Sequence, residues 1–228
     1  MILNIDGIFV VKRMDFGNMV GESFAYAKDA VVGKWMQWLL LLVATILIAI
    51  PLLGYTLKVF RGEKPAPEVD GWGTLVIDGI KYLIVSIIWA IPCLIIAFVT
   101  IGAGITAYVM NPAAIIGIIG SMLAGFLILL VVAIITGLLA TIGIVRFART
   151  GSMGEAFNFG AIIETIGKIG WLDYIIALII IGIIIGIIEV ICMAIPYIGM
   201  IILFLLTPPL VLWHARYISQ LYDSAGAA

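Results

Sequence analysis

Long apolar runs separated by short polar stretches dominate the chain from residue 39 onward. Five runs stand out, at residues 39–57, 82–110, 113–145, 171–194 and 200–213. A bilayer core about 30 Å thick is crossed by a helix of roughly 20 apolar residues. The pattern predicts an all-α integral membrane protein, built as a bundle of about five transmembrane or re-entrant helices.

Three of the runs carry features that affect their course. Pro51 and Gly54 fall in the second half of the first run, where they could kink or reverse the helix. The third run is too long for one upright span, so it tilts or begins outside the apolar layer. Thr207-Pro208-Pro209 interrupts the fifth run, and a polar tail at 216–223 follows it.

Two further stretches have the period of amphipathic helices. Residues 21–38 place Phe24, Ala27, Val31, Trp35 and Trp38 on one stripe. Residues 154–171 have a corresponding stripe, made of Phe159, Ile162, Ile163, Ile166 and Ile169. Both predict helices lying in the membrane interface, with the two tryptophans of the first as aromatic anchors. The alternative for the first stretch is an ordinary soluble helix.

The two interfacial stretches resemble each other. Both contain Gly-Glu-x-Phe, at residues 21–24 and 154–157, followed by Gly-Lys and then by tryptophan. We interpret the chain as a single membrane domain over residues 1–228. Its parts are an N-terminal segment with an interfacial helix (1–38), a first helical unit (39–147) and a repeat-like second unit (148–223). Chance similarity in Ile/Gly/Ala-rich sequence is the alternative.

Composition restricts the possible classes further. The chain of 228 residues is 64% hydrophobic and only 11% charged, so its charges cannot cover the surface of a water-soluble globule. Its net charge of -1 and lack of a long basic run argue against nucleic acid as a partner. Membrane lipid is the partner that the composition predicts. Cys93 and Cys192 lie in apolar runs and read as small hydrophobic residues rather than a disulfide or metal site.

The polar stretch at residues 54–79 bears on topology. If all five runs cross, the positive-inside rule puts this stretch in the cytoplasm and the N-terminus outside. If residues 39–60 re-enter instead, every charged loop becomes cytoplasmic. Both schemes predict a multi-pass protein of the cell membrane with this loop in the cytoplasm. The loop is either a solvated connection, a contact for lipid headgroups, or a docking site for a cytoplasmic protein, with candidate residues Arg61, Glu63, Lys64, Trp72 and Asp78.

Small residues recur about every fourth position in the third run and reappear in the fourth. The candidate packing face comprises Gly117, Ser121, Gly125, Ala133, Gly137, Gly182 and Gly186. In lipid, small residues let helix backbones approach closely and gain dispersion contacts. The partner of this face is a neighbouring helix of the same chain, a second subunit or, as a third alternative, a pore.

Glu189 is the one acid deep inside an apolar run. A charge at the bilayer centre costs roughly 2.5–3.5 kcal/mol on insertion scales, so an acid there is a candidate functional site. The alternatives are a hydrogen-bonded packing role and a position near the membrane surface. His214, the only histidine, reads as an interfacial anchor. The sequence shows no catalytic, cofactor-binding or metal-ligand motif, which predicts a protein that is not an enzyme.

Several short motifs together resemble a known family. They are Gly54-Tyr55, Arg61-Gly62-Glu63, Trp72-Gly73, Asp78-Gly79-Ile80-Lys81, Arg146-Phe147-Ala148-Arg149, Pro196-Tyr197-Ile198-Gly199 and Arg216-Tyr217. The chain resembles an uncharacterised polytopic membrane family, domain-of-unknown-function family 4013, from about Phe24 to Tyr222. The resemblance implies a helical membrane protein of archaeal type and implies no activity.

Two functional hypotheses follow. The first is a non-enzymatic membrane component that forms homo-oligomers or docks a cytoplasmic partner. The alternative is a small channel or secondary transporter that uses Glu189 within the membrane. A cavity that reaches Glu189 would favour the second, and an acid sealed among apolar side chains would exclude it.

Overall fold

The computed structural model describes residues 2–5, 8–11, 14–47 and 49–226. Two short antiparallel strands, β1 (Ile2–Ile5) and β2 (Ile8–Val11), precede the helices. The helices are α1 (Phe16–Val31), α2 (Trp35–Ile46), α3 (Ile50–Phe60), α4 (Trp72–Met110), α5 (Ile115–Thr150), α6 (Phe159–Ile169), α7 (Trp171–Met193) and α8 (Ile198–Asp223). Short 3₁₀ turns at Pro112–Ala114 and Met153–Phe157 precede α5 and α6.

Four helical segments are long and apolar enough to cross a membrane: α4, α5 with its preceding turn, α7 and α8. The number rises to five if α1 and α2, which meet at a bend of 97°, form one broken span. The prediction of an all-α membrane bundle is therefore confirmed. α4 has 39 residues and is about 58 Å long, so it extends well beyond a 30 Å apolar layer.

The first amphipathic stretch is not one helix, contrary to the prediction for residues 21–38. α1 ends at Val31, and Gly33 adopts a positive φ of 79° in the turn that follows. α2 then begins at Trp35 in a different direction. Trp35 and Trp38, which stack with ring centroids 5.6 Å apart, belong to α2 and not to the end of α1. The glycine supplies a left-handed conformation that a side chain would oppose.

The first apolar run is also broken, but not at Pro51 and Gly54 as predicted. α2 ends at Ile46, and α3 begins at Ile50 with the proline in its first turn. Proline suits this position because the first amides of a helix have no intrahelical acceptor. The two helices are about 18 and 16 Å long, and neither crosses the apolar layer alone.

Gly54 lies inside α3 and allows the close approach of α4. A Cβ at Gly54 would lie 1.9 Å from the carbonyl oxygen of Leu75, and one at Gly79 would lie 1.9 Å from that of Ile50. The two glycines therefore form a reciprocal contact between antiparallel helices. The predicted polar stretch 54–79 is not one loop, because its ends belong to α3 and α4.

The second amphipathic stretch begins as the 3₁₀ turn at Met153–Phe157, and only α6 is a true α-helix. Asn158 caps it by accepting a hydrogen bond from the amide of Ala161 at 3.2 Å. The Gly-Glu-x-Phe motif lies within α1 in one half and in the 3₁₀ turn in the other. α1 and α6 are nevertheless each followed by a glycine of positive φ, Gly33 and Gly170. The next helix then begins with a tryptophan, Trp35 or Trp171.

α8 runs through Pro208-Pro209, although the sequence predicted an interruption there. Pro209 has no amide hydrogen, so it cannot bond the carbonyl of Leu205 one turn earlier. The indole Nε1 of Trp38 donates to that carbonyl at 3.1 Å. A side chain of α2 thus replaces the missing backbone donor. The predicted polar tail 216–223 forms the last turns of α8 and is largely buried.

The buried core is concentrated at one end of the bundle. It is formed by α1, α3, the first turns of α4, the last turns of α5, α6 and the last turns of α8, together with parts of α2 and α7. The halves of α4 and α5 nearest their connection contact each other, as when Gly104 meets the side chain of Met122. Elsewhere they expose large apolar side chains. We call the packed end, which holds the ion pairs, the charged end.

Candidate intramembrane site at Glu189

Arg149, in the last turn of α5, joins three elements at the charged end. Its Nε donates to the carbonyl oxygen of Phe60 at 2.6 Å, which satisfies the C-terminus of α3. Its Nη2 donates to Asp223 at 2.6 Å and to Ser219 at 3.0 Å, both on α8. The guanidinium also lies over the ring of Tyr222 at 5.7 Å. These contacts fix α3 and α8 against the end of α5.

Ion pairs also restrain the loop after α3. Lys58 and Asp70 are 2.7 Å apart, and hydrogen bonding to this lysine lowers the pKa of the Asp70 carboxyl. Arg61 pairs with Asp78 at 2.6 Å, which joins the end of α3 to the start of α4. The loop is therefore held at both ends and is not a slack connection.

The candidate docking residues divide into two groups. Arg61 and Asp78 bind each other, and Trp72 is half-buried against the core at the start of α4. Glu63 and Lys64 have exposed side chains, although the carbonyl oxygen of Glu63 accepts a hydrogen bond from the hydroxyl of Tyr26 at 3.1 Å. Of the five candidates, only this exposed pair presents charge away from the chain.

Arg146 pairs with Glu155, which connects the end of α5 to the 3₁₀ turn before α6. Hydrogen bonds from Arg146 and Asn158 hold the pKa of the Glu155 carboxyl below its usual range. Arg216 is only 2% exposed and lies over the ring of Tyr26 at 5.1 Å. The side chains that the sequence presented as a polar tail thus belong to a buried structural network.

A cavity of about 440 Å³ lies between α3, α4, α7 and α8. Its lining residues are Leu53, Thr56, Phe60, Tyr82, Ile185, Glu189, Leu203, Thr207, Leu210, Val211 and His214. The contributing residues of α8 extend from Leu203 to His214, a length of about 16 Å along the helix. Glu189, one turn before the end of α7, has an exposed side chain and is not sealed among apolar residues.

The lining combines a carboxylate with groups that stabilise positive charge. The lining includes the aromatic rings of Phe60 and Tyr82, a ring type whose face attracts cations, and one carboxylate, that of Glu189. The hydroxyls of Thr56 and Thr207 donate to carbonyls of their own helices at 2.9 Å, which leaves their lone pairs as acceptors. The volume lies within the roughly 300–1,000 Å³ typical of small-molecule sites. The cavity therefore suits a small cation.

Sequence reasoning found Glu189 but missed its partners in the cavity. Thr56 and Tyr82 lie in different segments, and their approach depends on the glycine contact between α3 and α4. His214 was assigned to the interface, and the structure places it on the cavity wall. The one available signal was that Thr207 and His214 lie seven residues apart, on one face of a helix.

Only part of the candidate packing face contacts another helix of the same chain. A Cβ on Gly125 would lie 2.3 Å from the side chain of Thr100, so this glycine packs against α4. Open space surrounds the remaining candidate glycines, which are Gly117, Gly137, Gly182 and Gly186. The side chains of Ser121 and Ala133 are exposed. Packing within the chain therefore accounts for Gly125, and the remainder faces outward.

The described residues bring few potential metal ligands close together. Across residues 14–47 and 49–226, no three histidine, cysteine or acidic side chains come together to hold a metal ion. Cys93 and Cys192 are both free thiols, and the sulfur of Cys93 lies 3.5 Å from the hydroxyl of Thr136.

The long apolar helices and the core at one end define a polytopic helical membrane protein. The family described as "Protein of unknown function (DUF4013)" matches residues 38–197, more than half of the chain, and the chain belongs to that family. The match includes α3 to α7 and α2 from Trp38 onward, and leaves α1 and α8 outside. No curated protein and no solved structure matches the chain.

Proposed function

We propose that this chain is a small channel or secondary transporter for a cation, with Glu189 as the counter-ion in the membrane. The observation that carries the proposal is the access of this carboxylate to a 440 Å³ cavity shared with Tyr82, Thr207 and His214. An ionised acid in an apolar run is costly unless a cation, a proton or water compensates it. A cavity supplies that compensation, whereas a purely structural acid would need a fixed partner.

The position of the cavity agrees with passage between two membrane surfaces. One end lies beside Phe60 and His214, near the charged end, and the other beside Glu189, close to the opposite end of α7. Pro208 and Pro209 on α8 adjoin this wall and weaken the hydrogen bonding of the helix there. We propose that the charged end faces the cytoplasm of the cell membrane, since most basic residues outside the spans lie there.

Uptake into liposomes tests the proposal. The purified protein is reconstituted, and uptake of labelled tetraethylammonium and of protons is measured. Wild type should exceed empty liposomes, and Glu189→Gln should lower uptake at least tenfold, about 1.4 kcal/mol of lost stabilisation. Glu164→Gln on the exposed face of α6, which removes an acid outside the cavity, is the control. Equal uptake by wild type and Glu189→Gln, or none above empty liposomes, would contradict the proposal.

Assembly into homo-oligomers is a second candidate function. In the most apolar stretches of α4, α5 and α7, only 11%, 6% and 17% of the residues are buried within the chain. Open space around Gly137 and Gly182 leaves room for another helix backbone. We propose that a second copy packs against this outward face, which makes the chain a membrane-embedded component of a larger assembly.

Cysteine cross-linking tests the assembly. In a background lacking Cys93 and Cys192, Gly137→Cys should give a covalent dimer in native membranes with a short bis-maleimide. Ile128→Cys is the control, because nine residues place it about 180° around α5 and it is equally exposed to lipid. Cross-linking of both variants at equal yield, or of neither, would argue against a specific interface.

Docking of a cytoplasmic protein remains a proposal for the loop after α3. Glu63 and Lys64 are the exposed charges among the candidate docking residues, so their double replacement by alanine removes these two charges and preserves the ion pairs of the loop. The matched control is the exposed pair Glu164 and Lys168 on α6. A partner retained by the control and lost from the loop variant would support docking, and an unchanged partner set would defeat it.

A further inference from the structure

A second cavity, separate from the one at Glu189, lies between α1, α2, α7 and α8. It has a volume of about 250 Å³, and we call it the lateral groove. Lys28 is its only charged or polar lining residue apart from the indole nitrogens of two tryptophans. Its apolar walls include Phe24, Val32, Pro209 and Trp213. Apolar walls with one cation define an amphiphilic site.

The groove has defined walls because its aromatic side chains are fixed. The rings of Phe24 and Trp213 meet edge to face, with centroids 5.0 Å apart. The indole of Trp213 donates to the hydroxyl of Ser23 at 3.1 Å, and that of Trp38 donates to the carbonyl of Leu205. Each indole nitrogen is therefore engaged on the protein, which leaves the ring faces to a ligand. Such preformed apolar walls suit a hydrocarbon chain.

The groove lies at the depth of the spans. Ile188, Leu206 and Leu210 belong to α7 and α8, which are both long enough to cross the membrane. The bilayer core contains no water, so a ligand at that depth enters from the lipid. The part of the ligand that lies in the groove is then apolar. Lys28, in the last turn of α1, stands at the rim with an exposed side chain. A lysine whose stem lies along an apolar wall places its ammonium at the headgroup level.

The positive charge of Lys28 indicates which class of lipid the groove binds. Across residues 14–47 and 49–226, no carboxylate lies within salt-bridge distance of Lys28. Asp29 is not among the lining residues. We propose that the lateral groove binds one acyl chain of an anionic phospholipid, whose phosphate is held by Lys28.

Native mass spectrometry of the full chain in detergent tests this site. Phosphatidylglycerol and phosphatidylcholine with identical acyl chains are added in turn. Wild type should retain phosphatidylglycerol about fivefold more than phosphatidylcholine, and Lys28→Gln should abolish that preference, since one basic residue near a headgroup contributes about 1 kcal/mol. Lys168→Gln on α6 is the control and should leave the preference unchanged.

Two further measurements test whether the groove binds the acyl chain and whether a free phosphate compound can take the place of the lipid. Val32→Trp, which fills the groove at an exposed position, should lower retention of both lipids. Glycerol phosphate, which has the headgroup but no chain, should not displace phosphatidylglycerol. Equal retention of both lipids by wild type, an unchanged preference in Lys28→Gln, or displacement by glycerol phosphate would overturn the proposal. A dimer that survives delipidation through this face would overturn it too, by assigning the groove to a second copy.

Discussion

The two ends of the α4–α5 hairpin show how differently one pair of helices packs in the same chain. Near the charged end, Gly79 meets the backbone of Ile50, and Gly143 would place a Cβ 2.4 Å from the carbonyl oxygen of Ala156. Towards the connection of the hairpin, Gly102 and Gly117 have open space around them. Glycine thus allows helices to pack against each other's backbone in the first region. In the second region, Gly104 and Gly125 meet only side chains across the hairpin.

The difference has a physical cause. At the charged end, burial removes apolar surface from water and pays for ordering the side chains. In lipid that driving force is absent, and helices associate only through close packing or hydrogen bonds. The chain provides such contacts sparsely at the far end, as between Gly125 and Thr100. That end is consequently available to lipid or to a second copy.

The largest effect is expected from Arg149→Ala at the charged end. The substitution leaves the carbonyl of Phe60 and the carboxylate of Asp223 without their donor. Breaking a buried pair costs about 3–5 kcal/mol, and partial exposure of this one reduces the expected loss to about 3 kcal/mol. Thermal unfolding in detergent measures it.

Lys168→Ala breaks an exposed pair with Glu164 and provides the control for Arg149. That change should cost less than about 0.5 kcal/mol. Similar losses in the two variants would show that the charged end is not the stabilising core.

A smaller loss is expected from Trp38→Phe, which removes the donor to the carbonyl of Leu205. A carbonyl left without a donor in the apolar layer of a membrane costs about 1–3 kcal/mol. Adding Pro209→Ala restores a backbone amide one turn after Leu205, so the double variant should recover the loss. Unfolding midpoints of the two single variants and the double variant measure this coupling, and a purely additive result would refute the role of Trp38.

The smallest effect is expected from acid. The folded pKa of Glu155 lies below its unfolded value because Arg146 and Asn158 bind the carboxylate. The pair therefore stabilises the fold fully above the unfolded pKa, and this stabilisation is lost as pH falls through the folded pKa. Unfolding midpoints between pH 6 and pH 3 should fall less in Glu155→Gln than in wild type. An identical slope would exclude the pair as the acid-sensitive element.

The sequence was sufficient to predict the class of fold and the spans, because apolar runs longer than 20 residues have few other environments. Helix breaks were harder to predict. Pro51 marked the start of α3 rather than a kink, and Pro208-Pro209 did not end α8 because Trp38, from a distant segment, supplies the missing donor. Such compensation depends on tertiary contacts that local sequence does not encode.

The candidate site was predictable in part for the same reason. Glu189 was evident as an acid among isoleucines, but its cavity exists only after α3 packs against α4 through Gly54 and Gly79. Residues 216–223 were identified only as a polar tail, because their partners lie on α1 and α5. The ion pair between Arg149 and Asp223 joins residues 74 positions apart, so it leaves no local pattern in the sequence.

The contrast between the two ends is tested most directly by one pair of substitutions, Gly79→Ala and Gly117→Ala, compared by thermal unfolding in the same detergent. A Cβ at Gly79 meets the Ile50 backbone, so overpacking should cost about 3 kcal/mol and lower the unfolding midpoint by about 6 °C or more. A Cβ at Gly117 meets nothing within 4 Å, so the midpoint of that variant should stay level or rise slightly. Equal losses at both positions would contradict the account.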